Sequence, residues 1–315
     1  MGTPHVSVVI PVYNGVNFLK EAVESVFAQT YTDYEILIVD DGSTDDTPAV
    51  VASLGSRVRY FRKPNGGVAT ALNRGIREMR GCWFAWLSHD DLWMPRKLEK
   101  QVEFLNAHPD VSACYTDFRV IDGAGTALRD VRTPWYPRAQ ALRCLFSSSY
   151  IGGSTMLVGK RCFDELGAFD ESLRTTQDAE MWLRVQRRFE IGRVGEVLIA
   201  QRVHAGQGSQ TIASHEAEKA QTFERVFQSM DPAELFPELA GGRETQLVVR
   251  AHVWFADAMA SRGFGDLACS HIMEALKVDP AWSNLARFRL FSMSARQALR
   301  PFSSWVRRRL AARGG

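Results

Sequence analysis

VSVVIPVYNG, residues 6–15, decides how the chain begins to fold. From Val6 to Val12 the β-branched residues run almost without interruption instead of alternating, the pattern of a strand covered on both faces. Tyr13-Asn14-Gly15 then turns the chain. Working outward, Phe18, Leu19, Ala22, Val23, Val26 and Phe27 recur at helical spacing, and Glu35 to Val39 is a second buried strand. Ser43 and Asp46 stand as a variant capping box before a helix reaching Leu54. Val58 to Phe61 predicts a third strand, Val68 to Met79 a helix entered through Asn65-Gly66-Gly67, and Trp83 to Leu87 a fourth strand. Pro95 opens a helix that runs to Ala107. Strands that alternate with helices in this way predict an α/β fold with a doubly wound, mainly parallel sheet, which places its ligand beyond the carboxyl ends of the strands.

Beyond Val111 the alternation loosens. Strands are expected to Thr116, over Thr155 to Val158 and near Val194 to Val203, a turn at Asp122 to Gly125, and helices at Ala139 to Phe146 and Asp178 to Phe189. The Gly- and Ser-bearing run Ala205 to Ser209 reads as a domain edge, dividing the chain into residues 1–210 and a helical region over 211–315. In the latter, Ala256, Ala260, Gly263, Ala268, Ala275 and Leu276, closed by Asp279-Pro280, look like one hairpin of tetratricopeptide type.

The 315 residues carry a formal charge of +2, but unevenly. From Leu285 onward there are eight arginines (Arg287, Arg289, Arg296, Arg300, Arg307, Arg308, Arg309, Arg313) and no acid, so +2 less 8 leaves −6 for the rest. A basic tail on an acidic body argues against a nucleic-acid protein. The cysteines, Cys82, Cys114, Cys144, Cys162 and Cys269, show neither a C-x-x-C pair nor framework spacing and read as reduced core residues of a cytoplasmic protein. A strand starting at Val6 leaves no room for a signal peptide, and no apolar run is long enough to span a membrane.

Polar clusters stand at the ends of the strands. Pro11-Val12-Tyr13-Asn14-Gly15 follows the first, Asp40-Asp41-Gly42-Ser43-Thr44 the second, and Ser88-His89-Asp90-Asp91 the fourth. Each is also a plain turn or cap sequence, but together they converge on one sheet edge. VSVVIPVYNG, EILIVDDGSTDDT, NGGVATALNRGI and WLSHDDLWMPRKLEKQ, in this order, resemble the family 2 glycosyltransferases of the GT-A fold, and the resemblance covers Val6 to His204.

The resemblance implies that Tyr13, beside Pro11, stacks on the base of a nucleotide and that Asp41, with Asp40, hydrogen-bonds the base or ribose. It implies a diphosphate near Gly67 at a helix N-terminus. Asn73 is read either as a helper there or as a helix-packing residue, and His89 is placed with the nucleotide. Asp90 ends the family's Asp-x-Asp and implies a Mn2+ or Mg2+ ion, with Asp91 as second-choice ligand and His204 either near the metal or a surface histidine. The motif departs from the family at Ser88, which suggests a cation held mostly by donor oxygens and water. Asp178, in TQDAEMWLR, aligns with the catalytic base, and here Gln177 replaces a glutamate. Trp182 is either core or an acceptor platform, and Gly152-Gly153-Ser154 a close-approach loop or a turn.

The expected activity is an inverting, metal-dependent hexosyl transfer from a nucleotide sugar, a UDP-sugar by the habit of the family. The acceptor is a saccharide or lipid-linked hydroxyl in cell-surface polysaccharide or glycolipid synthesis. The alternatives are a nucleotidyltransferase-like enzyme, which would need a basic loop after the first strand, and a non-catalytic nucleotide-sugar-binding protein. A dinucleotide dehydrogenase lacks its G-x-G-x-x-G here. The arginine tail, with Phe302 and Trp305, is read as a contact with an anionic membrane at the cytoplasmic face or as a solvated tail.

Overall fold

The computed structural model describes residues 5–207 and 214–280. β1 (Val6–Val12) is buried along its whole length, as its unbroken apolar run requires. It pairs in parallel with β2 (Tyr34–Asp40), Val6 opposite Tyr34 and Val12 opposite Asp40, so both strands end level and their following turns are neighbours. β3 (Arg59–Arg62) extends the sheet beyond β2, and β4 (Trp83–Trp86) pairs with the other side of β1, all in parallel. Between them lie α1 (Leu19–Phe27), α2 (Thr47–Ser53) and α3 (Val68–Glu78), and α1 buries Leu19, Ala22, Val23 and Val26 as its spacing predicts.

Past β4 come β5 (Leu92–Trp93), α4 (Lys97–Ala107), β6 (Val111–Ile121), β7 (Ala127–Val131), α5 (Arg138–Ser148), β8 (Leu157–Gly159), α6 (Lys160–Leu166), α7 (Gln177–Arg188) and β9 (Glu190–Arg202). The order across the sheet is β3-β2-β1-β4-β8-β6-β9-β5, with β7 paired to β6. β8 runs against both β4 and β6, and β6 is parallel to β9, so the doubly wound sheet is mixed but mainly parallel. Val8, Ile10, Ile36, Ile38, Ala85, Leu98 and Cys114 belong to one hydrophobic cluster along it.

Several expectations change. α2 starts at Thr47 without a side-chain bond from its N-cap Asp46; Ser43 is engaged with the turn after β1, and the Thr47 amide is met instead by Asp45 Oδ1 at 3.0 Å. β5, β7 and α6 were not legible: β5 has two residues, and β7 is an exposed edge whose Arg129 and Asp130 break any apolar pattern. Cys114 and Cys162 are core residues, whereas Cys82 is exposed and Cys144 and Cys269 are partly so.

Contacts divide the chain into one unit of Met1–Leu145 with Ser149–Thr222 and another of Phe146–Ser148 with Phe223–Gly315. The first runs past residue 210 because α8 (His215–Gln228) begins on it. There the Glu218 carboxylate accepts from the backbone amides of Arg174, Thr175 and Thr176 at 2.8–3.0 Å. The second unit contains the end of α8, α9 (Pro232–Leu235), and a helical hairpin of α10 (Glu244–Arg262) and α11 (Gly265–Val278). Gly263, at φ +97°, supplies the left-handed cap between the hairpin helices, and Ala256, Ala268 and Ala275 are buried. Buried His271 lies 2.6 Å from a Glu224 oxygen and 2.8 Å from His252 Nδ1. Among the described residues no helix is long and apolar enough to cross a membrane. The arginines from Arg287 onward, with Phe302 and Trp305, lie outside the described residues.

Candidate active site

The turns after β1 and β2 are tied into one surface. Asn14 takes a positive φ of 52°, which its short amide side chain tolerates. Its backbone N–H donates to Ser43 Oγ at 2.9 Å, and its Oδ1 accepts from the Thr44 amide at 2.8 Å. Gly15 N–H donates to Thr47 Oγ1 at 2.9 Å, and a Cβ on Gly15 would stand 2.4 Å from Val12 and 2.8 Å from the His89 ring. These ties hold Tyr13 out at the strand end with 46% of its surface exposed.

The carboxylates after β2 are turned inward. Asp40 is fully buried: Oδ1 accepts from the Ser43 amide at 2.7 Å and Oδ2 from the Tyr60 hydroxyl at 2.6 Å. Burial and this bond push the Tyr60 phenol up to about 12, so it stays a donor. Asp41 accepts from Gly66 N at 3.0 Å, Gly67 N at 2.7 Å and the Lys63 ammonium. Asp41 therefore builds the glycine turn, and the two amides expected to face a diphosphate are already bonded to it. Gly67 begins α3 at φ +94°, where a side chain is strained.

Asn73 corrects one expectation. Its Nδ2 donates to the Phe169 carbonyl and Glu171 Oε1, both at 2.9 Å, while its Oδ1 accepts from Phe169 N at 2.9 Å. The amide is used up in holding the 169–171 segment and has nothing left for a diphosphate. Asp40 is likewise corrected from nucleotide contact to turn-builder. Trp182 is core, fully buried with its ring edge-on to Phe169.

The loop after β4 is held by residues far away in sequence. Asp91 is buried; Oδ2 accepts from Ser154 Oγ at 2.7 Å and Oδ1 from Arg202 N at 3.0 Å. Burial first, and then the charge of Asp90, pushes its carboxyl well above the usual range. Ser154 Oγ also accepts from the Ser88 amide at 3.0 Å. A Cβ on Gly153 would strike the Trp86 ring at 2.4 Å, so the segment lies close against that ring and the position requires glycine. The buried Arg202 side chain donates to the Asp90 carbonyl at 2.9 Å, to Gly123 O at 2.9 Å and to Glu21 Oε2 at 2.7 Å.

These bonds leave the Asp90 side chain facing His204, whose Nε2 lies 3.0 Å from Asp90 Oδ2. Gly206 N–H donates to His204 Nδ1 at 3.3 Å, which puts the ring proton on Nε2, pointing at the carboxylate. Burial lowers the neighbouring His89, so it is neutral near pH 7. Asp178 is the second residue of α7, and enclosure raises its carboxyl to about 6 against the pull of Lys219.

A cleft of about 640 Å³ gathers Pro11, Tyr13, His89, Asp90, Asp91, Asp178 and His204. It passes over Asp40, Asp41, Gly67 and Asn73, and adds Trp86, Arg174, Gln177 and Gln201. Trp86 Nε1 and Gln177 Oε1 are buried there without a partner, a donor and an acceptor suited to a polar ligand. Among the described residues no three His, Cys, Asp or Glu side chains are grouped to hold a metal. The Asp90 carboxylate fits an ion whose other positions fall to ligand oxygens and water, and His204 could join it only after its ring proton moves from Nε2 to Nδ1, which breaks the Gly206 bond. Arg202 was missed by sequence reasoning because a buried arginine reads like any surface one; only its place in Arg202-Val203-His204 hinted at it.

The architecture resembles solved structures. The S. aureus TarS 1–349 complex with UDP-GlcNAc matches at a TM-score of 0.62 and 16% identity, covering 92% of this chain and 89% of that one. The mannosyltransferase PcManGT from Pyrobaculum calidifontis with GDP-Man and Mn2+ matches at 0.55 and 20% identity, covering 97% and 84%. At these identities the likeness establishes the GT-A type of fold alone. In sequence, an uncharacterized glycosyltransferase of Rickettsia felis is 40% identical over 221 residues, 68% of this chain and 37% of that protein. One from Rickettsia typhi is 42% identical, covering 66% of this chain and 67% of its own length. The chondroitin synthase of Escherichia coli is 31% identical over 58% of this chain and 26% of its own. The chain thus spans little more than a third of the length of the first curated relatives it matches. Residues 7–167, which contain the tied turns and the Asp90 loop, match the family described as Glycosyl transferase family 2, and the chain belongs to that family.

Proposed function

We propose that the chain is an inverting, metal-dependent transferase that moves a hexosyl group from a nucleoside diphosphate sugar to an acceptor hydroxyl. The observation that carries this reading is a carboxyl raised to about 6, Asp178, in the same cleft as the Asp90–His204 pair. A base near neutrality is ionised in the cell and still binds a proton usefully. Asp178 takes the acceptor's O–H proton while that oxygen forms its bond to the anomeric carbon and the bond from that carbon to the diphosphate oxygen breaks. The nucleoside diphosphate leaves from the opposite face, which inverts the anomeric centre. A divalent cation, Mn2+ or Mg2+, on Asp90 and His204 would supply countercharge to the diphosphate. Exposed Tyr13 offers its face to the base, and Trp86 Nε1 and Gln177 Oε1 are free to meet hydroxyls.

A UDP-sugar is the donor we favour, supported by the UDP-GlcNAc complex of a protein with the same fold. A saccharide or lipid-linked acceptor at the cytoplasmic face, in polysaccharide or glycolipid synthesis, is the matching role. The test is Asp178→Asn, assayed for transfer and for nucleotide binding. Transfer should fall by about 10²–10⁴, the contribution of a positioned base, while UDP still raises the melting temperature in the presence of Mn2+. Activity within a few fold of the wild type would remove Asp178 as the base.

A further inference from the structure

β6 and β9 begin at the end of the sheet opposite the cleft, because β6 runs in the same direction as β4. A cavity of about 780 Å³ opens there, beside Val111 and Glu190. Four arginines line it: Arg138, Arg161, Arg188 and Arg193. Arg193 is committed to Asp117, its Nη2 donating to both carboxylate oxygens at 2.9 and 2.8 Å. The other three are not tied to a buried acid. Arg161 Nη2 donates to Ser112 Oγ at 2.5 Å, and Arg138 Nη2 to the Arg187 carbonyl at 3.2 Å. Arg188 faces Glu165 at 3.4 Å, but both side chains are largely in water, where such a pair holds weakly.

Arg161 and Arg188 are nevertheless brought to one ring, their guanidinium carbons 5.7 and 6.0 Å from the centre of Phe189. Like charges gathered in this way, each with donors to spare, form a site for an anion. Two other features narrow the anion's class. Trp135 stands 53% exposed at the cavity, a flat apolar face of the kind on which sugar rings lie. Asp110 and Glu190 line the same wall and offer acceptors for hydroxyls, and burial keeps Glu190 raised against the pull of Arg138.

We propose that this cavity binds an anionic saccharide, whose carboxylate or phosphate is taken by Arg161, Arg188 and Arg138 while its ring stacks on Trp135. A volume of this size suits a sugar of a few rings. A bilayer surface or a nucleic-acid backbone would bring its phosphates against Asp110 and Glu190, and a recess fits neither. The site is separate from the transfer chemistry and is tested without it.

Calorimetric titration of the full chain compares a glucuronic-acid-containing tetrasaccharide, its carboxyl-reduced neutral form and glucose 1-phosphate, at low and high salt. The acidic tetrasaccharide or the sugar phosphate should bind, telling a carboxylate from a phosphate ligand, and the neutral form should bind at least tenfold more weakly. Salt should weaken the anionic ligand. Arg188→Gln and Trp135→Ala, both at exposed side chains, should each reduce binding at least tenfold, and Arg161→Gln more. The UDP-induced thermal shift should be unchanged in all three, which separates failure here from failure of the transferase reading. Equal binding of the neutral tetrasaccharide, no binding of either anionic sugar, or wild-type affinity in Arg188→Gln and Trp135→Ala would overturn the proposal. So would anionic phosphatidylglycerol vesicles that bind the chain and are lost with the same substitutions.

Discussion

At Asp178, the proposed base, enclosure ties the expected activity and the stability to one side chain. Its carboxyl, raised to about 6 chiefly by burial, must be ionised to take a proton. With Asp178 as base, kcat/KM is expected to fall tenfold per pH unit below about 6 and level off above it. A pH profile flat down to pH 4.5 would contradict that. The same shift has a sign in stability. An aspartate that binds its proton more tightly folded than unfolded favours the fold below the unfolded value near 4. That advantage is lost as pH rises through about 6. Asp178→Asn should therefore melt higher than the wild type at pH 8, with little difference at pH 4, while its transfer is expected to fall. Two melting curves decide it. Asp91 shares the upward shift but accepts bonds from Ser154 and Arg202, so replacing it tests the loop as well as the charge.

At the scale of elements, the glycine turn before α3 stands against the loop that carries Arg174. Gly67 sits at φ +94°, and a Cβ there would meet Arg174 Nη1 at 3.0 Å. Gly67→Ala should cost about 1–3 kcal/mol of strain and also weaken nucleotide binding, because Arg174 lines the cleft and would be displaced. Gly167, at φ +79° with nothing within 4 Å of where a Cβ would stand, is the control. Gly167→Ala should lose comparable stability in urea and leave nucleotide binding alone; equal binding losses in both variants would refute a role for Arg174. What the sequence made legible at this scale follows from burial. β1 and β2 announce themselves because both faces are covered, and α1 because one face is. β5 is too short for a period, and β7 is held by pairing with β6 and not by an apolar face. The motifs pointed to Tyr13, Asp90 and Asp178, which line one cleft, but not to which polar groups are consumed internally. Asn73 and Asp40 have the right chemistry for a ligand, and the three-dimensional fold spends it elsewhere.

For the whole molecule, charge is the property that composition reveals and the described residues do not. The eight arginines after Leu285 carry no acid among them, and Phe302 and Trp305 are interleaved. Near an anionic membrane each contributes about 1 kcal/mol, within a Debye length of the surface. Removing Pro301 to Gly315 should abolish co-sedimentation with anionic vesicles, and high salt should do the same to the full chain. Transfer to a small soluble acceptor should survive, because every proposed catalytic residue precedes Ala205. Equal, weak binding of the full chain to anionic and neutral vesicles at low salt would end the membrane reading.

The place of β9 in the sheet has a consequence for synthesis. Among the described residues β9 is the last strand to be made, yet it lies between β6 and β5, and β5 pairs there with it alone. A nascent chain that has emerged only through α7 holds the tied turns and Asp178, but not Arg202, the backbone donor to Asp91, or His204, the partner of Asp90. The ribosome therefore delivers the tied turns and the Asp90 loop first and the Arg202 and His204 groups that hold that loop last. A chain stalled before Glu190, with none of β9 made, would present β6 with an open edge on the side that β9 takes, a ready surface for the wrong strand.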